Sequence, residues 1–383
     1  MKKLDRWLLP DGIEEVLPAS AEKVEELRRA LLDLYRSWGY QLVIPPLVEF
    51  TESLLIGLGA DIDLLTFRIT DQLSGRNMGI RADITPQVAR IDARSLPTEG
   101  VSRFCYAGSV LHTRPTSTLA SRSPIKVGVE LYGDAGLNAD IEVICLMLET
   151  LETAGVRGIT LDLGHVGVSR RLLADSGLEG EAAAAVFDAL QRKSLPDLQE
   201  VLEAVEKEDC RARIPELVEL HGGAAVLDRA PWAEAEVATL RSVTAAVAAR
   251  YPDVEIYYDL CELCGYRYHT GLVFAAYVAD HGQALANGGR YDDVGRVFGR
   301  ARPATGFNTD LKALLSLLPG GDRVRGDGAI GAPAEGGPGL WEKVAELRAA
   351  GEVVITSLSG ELDSRCGRQL VTRDGDWVVE SCR

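Results

Sequence analysis

The sequence predicts an α+β fold: an antiparallel sheet flanked by helices, with a helical insertion and a small C-terminal α/β piece. Three observations carry that reading. Short runs rich in β-branched and aromatic residues recur between residues 64 and 132, separated by polar turn-like segments, as in an antiparallel sheet. From residue 169 to 249 the pattern becomes almost wholly helical and rich in Ala, Leu and Glu, so it reads as an inserted unit. Residues 319–339 are dense in Gly and Pro with little to bury, which is the composition of a linker. The expected organisation is a core over 1–318 carrying the insertion at about 169–250, the linker at 319–339, and a small unit at 340–383. A fragment of that size rarely folds alone, so it is expected to dock on the main body.

The elements follow in order. Ser20 can cap a helix whose apolar residues Val24, Leu27, Leu31, Leu34 and Trp38 recur at three- and four-residue steps, with Gly39 as its stop. Residues 40–46 read as a strand ending in two prolines, which suits a sheet edge. Further strands are expected at 64–70, 77–81, 103–110 and 125–132. Ile141, Ile144, Cys145, Leu148 and Leu151 give residues 138–154 helical spacing, and 159–163 reads as a strand. After the insertion, strand character returns at 255–260, 272–279 and 284–285, followed by a short helix at 310–318. The C-terminal piece reads as a helix at 340–350, a strand at 353–357 and a hairpin around Arg373-Asp374-Gly375-Asp376.

Composition narrows the functional classes. The chain has 383 residues, 46% apolar and 26% charged, which is ordinary for a soluble globular protein. Nothing in it reaches the roughly 18 apolar residues of a membrane span. The charged N-terminus lacks a signal-peptide core, so a cytoplasmic protein is expected. A net charge of −16 and a pI near 4.9 disfavour nucleic acid as the main partner, because a phosphate backbone needs compensating cations. Seven cysteines without a secretory signal are expected to stay reduced. Cys261-x-x-Cys264 lacks two further ligands nearby, so it reads as structural, and no metal or cofactor is expected.

Several short strings then fall into one order. They are the stretch 39–49 ending in Pro45-Pro46-Leu47-Val48-Glu49, Arg81-Ala82-Asp83-Ile84-Thr85, Val127-Gly128-Val129-Glu130, Tyr268-His269-Thr270-Gly271, Asn287-Gly288-Gly289-Arg290-Tyr291-Asp292, and Thr305-Gly306-Phe307. Each is weak alone, but together they resemble, over about residues 10–318, the class II histidyl-tRNA synthetases and the signatures with which those enzymes bind histidine. In that family fixed cations hold the phosphates during adenylation. The corresponding positions here are His112, Ala313 and Cys264, so the resemblance implies a pocket without the activation chemistry and no catalytic residues.

The pocket itself is better kept. The resemblance implies that Asp83 and Thr85 hold the amino-acid ammonium and that Glu130 reads the imidazole, with Tyr268 and His269 beside it. Lys126 stands where the family has a glutamine facing the ammonium. With Cys264 in the place of the carboxylate-binding arginine, the cation for the carboxylate falls to Lys126 or Arg267. Taken alone, Asp83 could cap a turn, His112 and His269 could be structural, and Gly288-Gly289 could be a tight turn.

This combination resembles the regulatory-subunit family of ATP phosphoribosyltransferase, synthetase paralogues that assemble with a short-form catalytic subunit at the first step of histidine biosynthesis. The resemblance implies a non-catalytic chain, a homodimer through the 39–49 region with Pro46 at its interface, and L-histidine as feedback effector in the pocket or at the subunit interface. A divergent histidyl-tRNA synthetase and a synthetase-like histidine sensor of another system are the other readings.

Overall fold

A computed structural model describes residues 7–55, 60–115, 117, 120–205, 207–261, 269–279, 281–317, 328–358 and 360–382. The chain divides into two units, one of residues 1–15 with 26–318 and one of 16–25 with 319–383.

In chain order the first half comprises α1 (Pro18–Ser37), β1 (Gln41–Leu42), β2 (Val48–Phe50), α2 (Thr51–Leu54), α3 (Ala60–Leu65), β3 (Phe67–Thr70), β4 (Asn77–Ile80), α4 (Thr85–Arg90), β5 (Ser102–Ser109), β6 (Ile125–Tyr132), α5 (Leu137–Thr153) and β7 (Ile159–His165). A five-residue π-turn, Ile91–Ser95, extends α4. The insertion follows as α6 (Val166–Ser176), α7 (Gly180–Gln191), α8 (Leu195–Val201), α9 (Glu208–Val218), β8 (His221–Gly222) and α10 (Glu234–Ala248). The core then closes with β9 (Glu255–Asp259), β10 (Leu272–Val278), β11 (Ala286–Arg290), β12 (Ala304–Asp310) and α11 (Leu311–Ser316).

Nine strands make one sheet in the order β1-β5-β6-β12-β11-β10-β7-β9-β8, and β2-β4-β3 make a small second one. The run from β5 to β7 is antiparallel throughout. Its flanks are not, because β1 pairs parallel to β5 and β9 parallel to β7. Parallel neighbours need a long crossover. The helical insertion is that crossover, which is why it leaves the sheet after β7 and returns at β9.

One face of the sheet is greasy and covered. Val127, Val129 and Leu131 of β6 alternate with Lys126, Gly128, Glu130 and Tyr132, so every apolar side chain of the strand's middle points one way. Over that face lies α5, whose Val143, Ile144, Leu146, Met147, Leu148 and Leu151 are fully buried. A helix apolar nearly all round belongs in a core. Each such side chain contributes roughly 1.5–3 kcal/mol on burial. Phe307 of β12 meets Tyr35 of α1 edge-on at 6.2 Å on the same side. The opposite face carries Glu130 and Gly128 of β6 together with the buried aromatic rings of Phe104, Tyr106 and Tyr132.

The second unit contains β13 (Ala329–Pro333), α12 (Gly337–Ala349), β14 (Val354–Ser357), β15 (Cys366–Arg373) and β16 (Asp376–Ser381), ordered β14-β13-β15-β16 around Ile330, Leu340, Val344 and Leu370. The expected hairpin is present: Asp374 and Gly375 take positive φ of 50° and 92°, the backbone that a tight two-residue turn requires.

Several expectations need correction. The linker expected at 319–339 covers a central strand and the start of a helix. Ala329, Ile330 and Ala332 are fully buried, with Ile330 the one large side chain that anchors β13 in the core of the small unit. The small unit therefore begins near residue 328 rather than 340, and residues 318–327 lie outside the described set. Ser20 does not cap α1, which starts at Pro18. Of residues 40–46 only Gln41 and Leu42 pair, since Pro45 and Pro46 have no N–H to give. Residues 60–65 are helical before β3 begins, and β11 starts at Ala286, so Gly288-Gly289 lie in a strand rather than a turn. The insertion begins at Val166 and includes the short β8.

Candidate functional site

The other face of the sheet holds the candidate site, within a second buried cluster in which Phe104, Tyr106, Tyr132 and Tyr291 pack with Ile84, Val88 and Ala89. Its floor is set by register: Glu130 of β6 pairs with Phe104 on β5 and Gly306 on β12, and Gly306 pairs with Gly289 on β11. Glycines occupy this face where other side chains lie flat across the sheet. A Cβ on Gly306 would run into Glu130 Oε2 and the Tyr291 hydroxyl. A Cβ on Gly289 would sit 2.8 Å from the His269 ring, and one on Gly128 would sit 2.8 Å from the Tyr106 hydroxyl. The glycines of the Asn287–Asp292 string thus act by what they leave open, while Gly288, on the other face, makes room for the Phe274 ring.

Glu130 is the centre. It is only 1% exposed, and its Oε1 accepts a hydrogen bond from the Tyr106 hydroxyl at 3.3 Å. That hydroxyl is 3.3 Å from Thr85 Oγ1 in turn. Glu130 Oε2 is buried and, among the described residues, has no hydrogen-bond partner. Burial pushes the carboxyl well above its usual range, the nearby Asp83 charge adds to the rise, and the Thr85 and Tyr106 hydroxyls oppose it. A buried polar oxygen left unmatched costs about 1–3 kcal/mol, so an incoming N–H finds a waiting acceptor.

Asp83 and Thr85 stand at the entry to α4. Asp83 Oδ1 accepts from the backbone N–H of Ile84 at 2.6 Å and of Thr85 at 3.4 Å. The turn-capping role open from sequence is therefore real, and it uses one oxygen of two. Arg81, just before, is spent on the scaffold: its guanidinium donates to the carbonyls of Ser109 and Pro45, both at 2.9 Å. Lys126 lies four residues from Glu130 along β6, about 13 Å at strand rise. It is half-buried and, among the described residues, makes no hydrogen bond or ion pair. His269 is buried, its ring 6.3 Å from that of Tyr291, and its carbonyl accepts from Arg170 of α6 at 2.6 Å. Arg267, Tyr268 and Cys264 lie outside the described residues. Tyr106 was not singled out from sequence. Its place beside Glu130 follows from the β5–β6 register, which alternation alone does not fix.

The positions that carry cations in the synthetases are different in kind. His112 is 7% exposed, its Nε2 is 3.0 Å from the Ala82 carbonyl, and its Nδ1 has no partner among the described residues. Burial lowers its pKa, as does Lys126, against the opposing hydrogen bond to Ala82, so the ring is neutral near pH 7. Ala313 lies in α11 and has no polar group to offer.

The two histidine-signature strings are bound to one another. Arg290 is buried and forked onto Asp140 of α5, with Nε–oxygen distances of 3.1 and 3.0 Å, and also meets Asp292 at 3.2 Å. The Thr270 N–H donates to the Arg290 carbonyl at 2.7 Å, and the Asp292 N–H to Thr270 Oγ1 at 3.0 Å. This lattice fixes the segment that presents His269.

Residues 12–314 match the family model described as histidyl-tRNA synthetase, so the chain is of the histidyl-tRNA synthetase class of folds. Residues 327–380 match the model described as the ATP phosphoribosyltransferase subunit HisZ C-terminal domain. The ATP phosphoribosyltransferase regulatory subunit of Stutzerimonas stutzeri is 52% identical over 393 residues, spanning 99% of both chains. That of Thioalkalivibrio sulfidiphilus is 54% identical over 370 residues, 94% of this chain and 93% of its own. The chain belongs to the ATP phosphoribosyltransferase regulatory subunit family. A solved structure from Bacillus halodurans, described as an ATP phosphoribosyltransferase regulatory subunit/histidyl-tRNA synthetase, superposes with a TM-score of 0.82 at 26% identity, covering 95% of this chain and 96% of its own. Histidyl-tRNA synthetase from Nostoc sp. shares the fold at a TM-score of 0.74 and 17% identity, covering 98% and 97%.

The state of Glu130 makes a prediction about stability. Its folded pKa lies above the ordinary value of 4.5, so the folded chain holds this proton more tightly than the unfolded chain does. Stability from this group is full below about pH 4.5 and is lost as pH rises through the folded pKa. Glu130→Gln carries no charge at any pH. In the ligand-free protein it should be more stable than wild type at pH 7, by about 1–3 kcal/mol, with the gain vanishing near pH 4. Urea denaturation at the two pH values checks this; a destabilised variant at pH 7 would contradict it.

Proposed function

We propose that the chain senses L-histidine in the synthetase-like pocket and passes its occupancy to a short-form ATP phosphoribosyltransferase catalytic subunit, while performing no turnover itself. The observation that carries the reading is the buried, unmatched Oε2 of Glu130. An imidazole N–H is a donor of the right kind for it. Asp83 through its second oxygen, with Thr85, holds the ammonium. Lys126 meets the carboxylate, a task that Arg267 can share, and Tyr268 and His269 flank the ring. The name of the relatives, a regulatory subunit, supports a catalytic partner in a hetero-oligomer. Feedback requires histidine to favour one assembly state over another, a coupling of about 1–3 kcal/mol.

Silence in adenylation follows from the missing cations. Each lost contact to a developing oxyanion costs on the order of 10²–10³ in rate, and neither the neutral His112 nor Ala313 replaces one. Histidine-driven pyrophosphate exchange should therefore be undetectable with the purified chain. A robust exchange signal would restore the synthetase reading. The acidic balance of the chain disfavours tRNA as a partner. Among the described residues no helix is long and apolar enough to cross a membrane, and the described cysteines are free thiols, in keeping with a cytoplasmic setting.

The chain forms a homodimer through the edge of the large sheet. There Ile44 is 82% exposed, with Leu42 and Leu47 exposed beside it and Pro46 between them. Such a patch on a sheet edge suits association. Sedimentation of the isolated chain should give a dimer; a monomer at every concentration would exclude it.

The site assignment has its own test. Glu130→Ala should weaken histidine inhibition of the assembled phosphoribosyltransferase ten-fold or more, roughly the 1–3 kcal/mol of one buried hydrogen bond. The uninhibited rate should remain near that of wild type. An unmoved inhibition curve in a complex that still assembles would place the histidine elsewhere.

A further inference from the structure

The N-terminal segment is pinned beside His112, whose ring meets the Ala82 carbonyl next to Asp83, by two cations: Arg122, hydrogen-bonded to His112, and Lys312, adjacent to Ala313. Arg122 pairs with His112 as in a short antiparallel ladder: its carbonyl accepts from the His112 N–H at 2.8 Å, and its Nε donates to the His112 carbonyl at 3.0 Å. On the other side Arg122 holds the N-terminal chain, its N–H donating to the Gly12 carbonyl at 2.9 Å and a guanidinium nitrogen to the Asp11 carbonyl at 2.7 Å. Gly12 takes a φ of +74°, and a Cβ there would lie 3.0 Å from the Arg122 side chain, so the crossing requires glycine. Lys312, adjacent to Ala313, is 14% exposed and donates to Glu14 at 2.9 Å and to the hydroxyls of Ser121 and Ser123 at 3.3 Å. That hydrogen bond holds the Glu14 carboxyl below its usual range.

The arrangement has a chemical consequence. A polyphosphate entering here needs cations free to face it. Lys312 is already neutralised by a carboxylate of the same chain, and Arg122 is turned to backbone carbonyls. Lys126, further in, stays uncommitted and can answer a single carboxylate. We propose that the strap from Asp11 to Glu14 determines specificity at this pocket, with Glu14 as a built-in anion that occupies Lys312 and keeps polyphosphates out while a free amino acid is admitted. The inference rests on the pocket reading above, but only its amino-acid half depends on histidine.

Inorganic pyrophosphate is the probe, titrated by calorimetry into the full-length chain at low ionic strength. Wild type should show no saturable binding in the millimolar range. Glu14→Gln releases Lys312 and should bind pyrophosphate at least ten-fold more tightly. Glu14 is more than half exposed, so the variant is expected to fold. Adding Lys312→Gln to Glu14→Gln should abolish the gain. Equal binding by wild type and Glu14→Gln, or a gain that survives the loss of Lys312, would overturn the proposal. Histidine is not the probe, so the presence or loss of histidine binding bears on the proposed function alone.

Discussion

The rest of the site depends on one constraint, a carboxyl group buried among aromatic rings on one face of a sheet without enough partners. Glu130 cannot be solvated, and among the described residues only the Tyr106 and Thr85 hydroxyls answer its carboxyl group. For that to persist, the surrounding structure must exclude water yet leave space above Oε2. The glycines of β6, β11 and β12 do both. They let Tyr106 and His269 lie close against the sheet, and they keep any Cβ away from the open oxygen. An ordinary core would replace such a group with an apolar side chain. Its presence accords with the proposed site, in which stability is given up for recognition.

Around this centre the ionic groups divide into those spent on the scaffold and those left for a ligand. Arg290 with Asp140 and Arg302 with Asp92, the latter pair 2.7 Å apart, are buried ion pairs that fix loops. Removing one partner from such a pair leaves an unpaired charge in the interior. Arg81 and Arg122 bind carbonyls, and Lys312 binds Glu14. Among the described residues, the Lys126 ammonium and the second oxygen of Asp83 stay open. A zwitterion carrying one carboxylate and one ammonium is matched by that remainder, and a triphosphate is not. On the proposed reading, the fold that supports adenylation in synthetases is here narrowed to recognition.

Much of this was legible in the sequence, and the limits have physical causes. Strand β6 and helix α5 could be read almost to the residue because alternation and helical spacing there are sharp. The Asp374-Gly375 hairpin was equally plain, since few residues tolerate its backbone. Strand β13 was hidden because Ala, Gly and Pro look like linker composition, and its burial comes from neighbours distant in the chain. Gly288 and Gly289, taken alone, could have been a turn for a related reason: glycine reports freedom, and only the strand register says that the freedom makes room for two different rings. Glu130, Asp83 and Thr85 were named from motif order, but the unmatched oxygen and the Tyr106 bridge depend on pairing β5 to β6. The strap was invisible, because nothing local marks Glu14 as the partner of Lys312.

The central claim is that Glu130 reads an imidazole, and the most direct measurement is a crystal structure of the protein with L-histidine bound. The account predicts an imidazole nitrogen within about 2.7–3.2 Å of Glu130 Oε2, with the ammonium at Asp83 and the carboxylate toward Lys126. Histidine bound at a subunit interface, with Glu130 Oε2 still unmatched in an empty pocket, would contradict it.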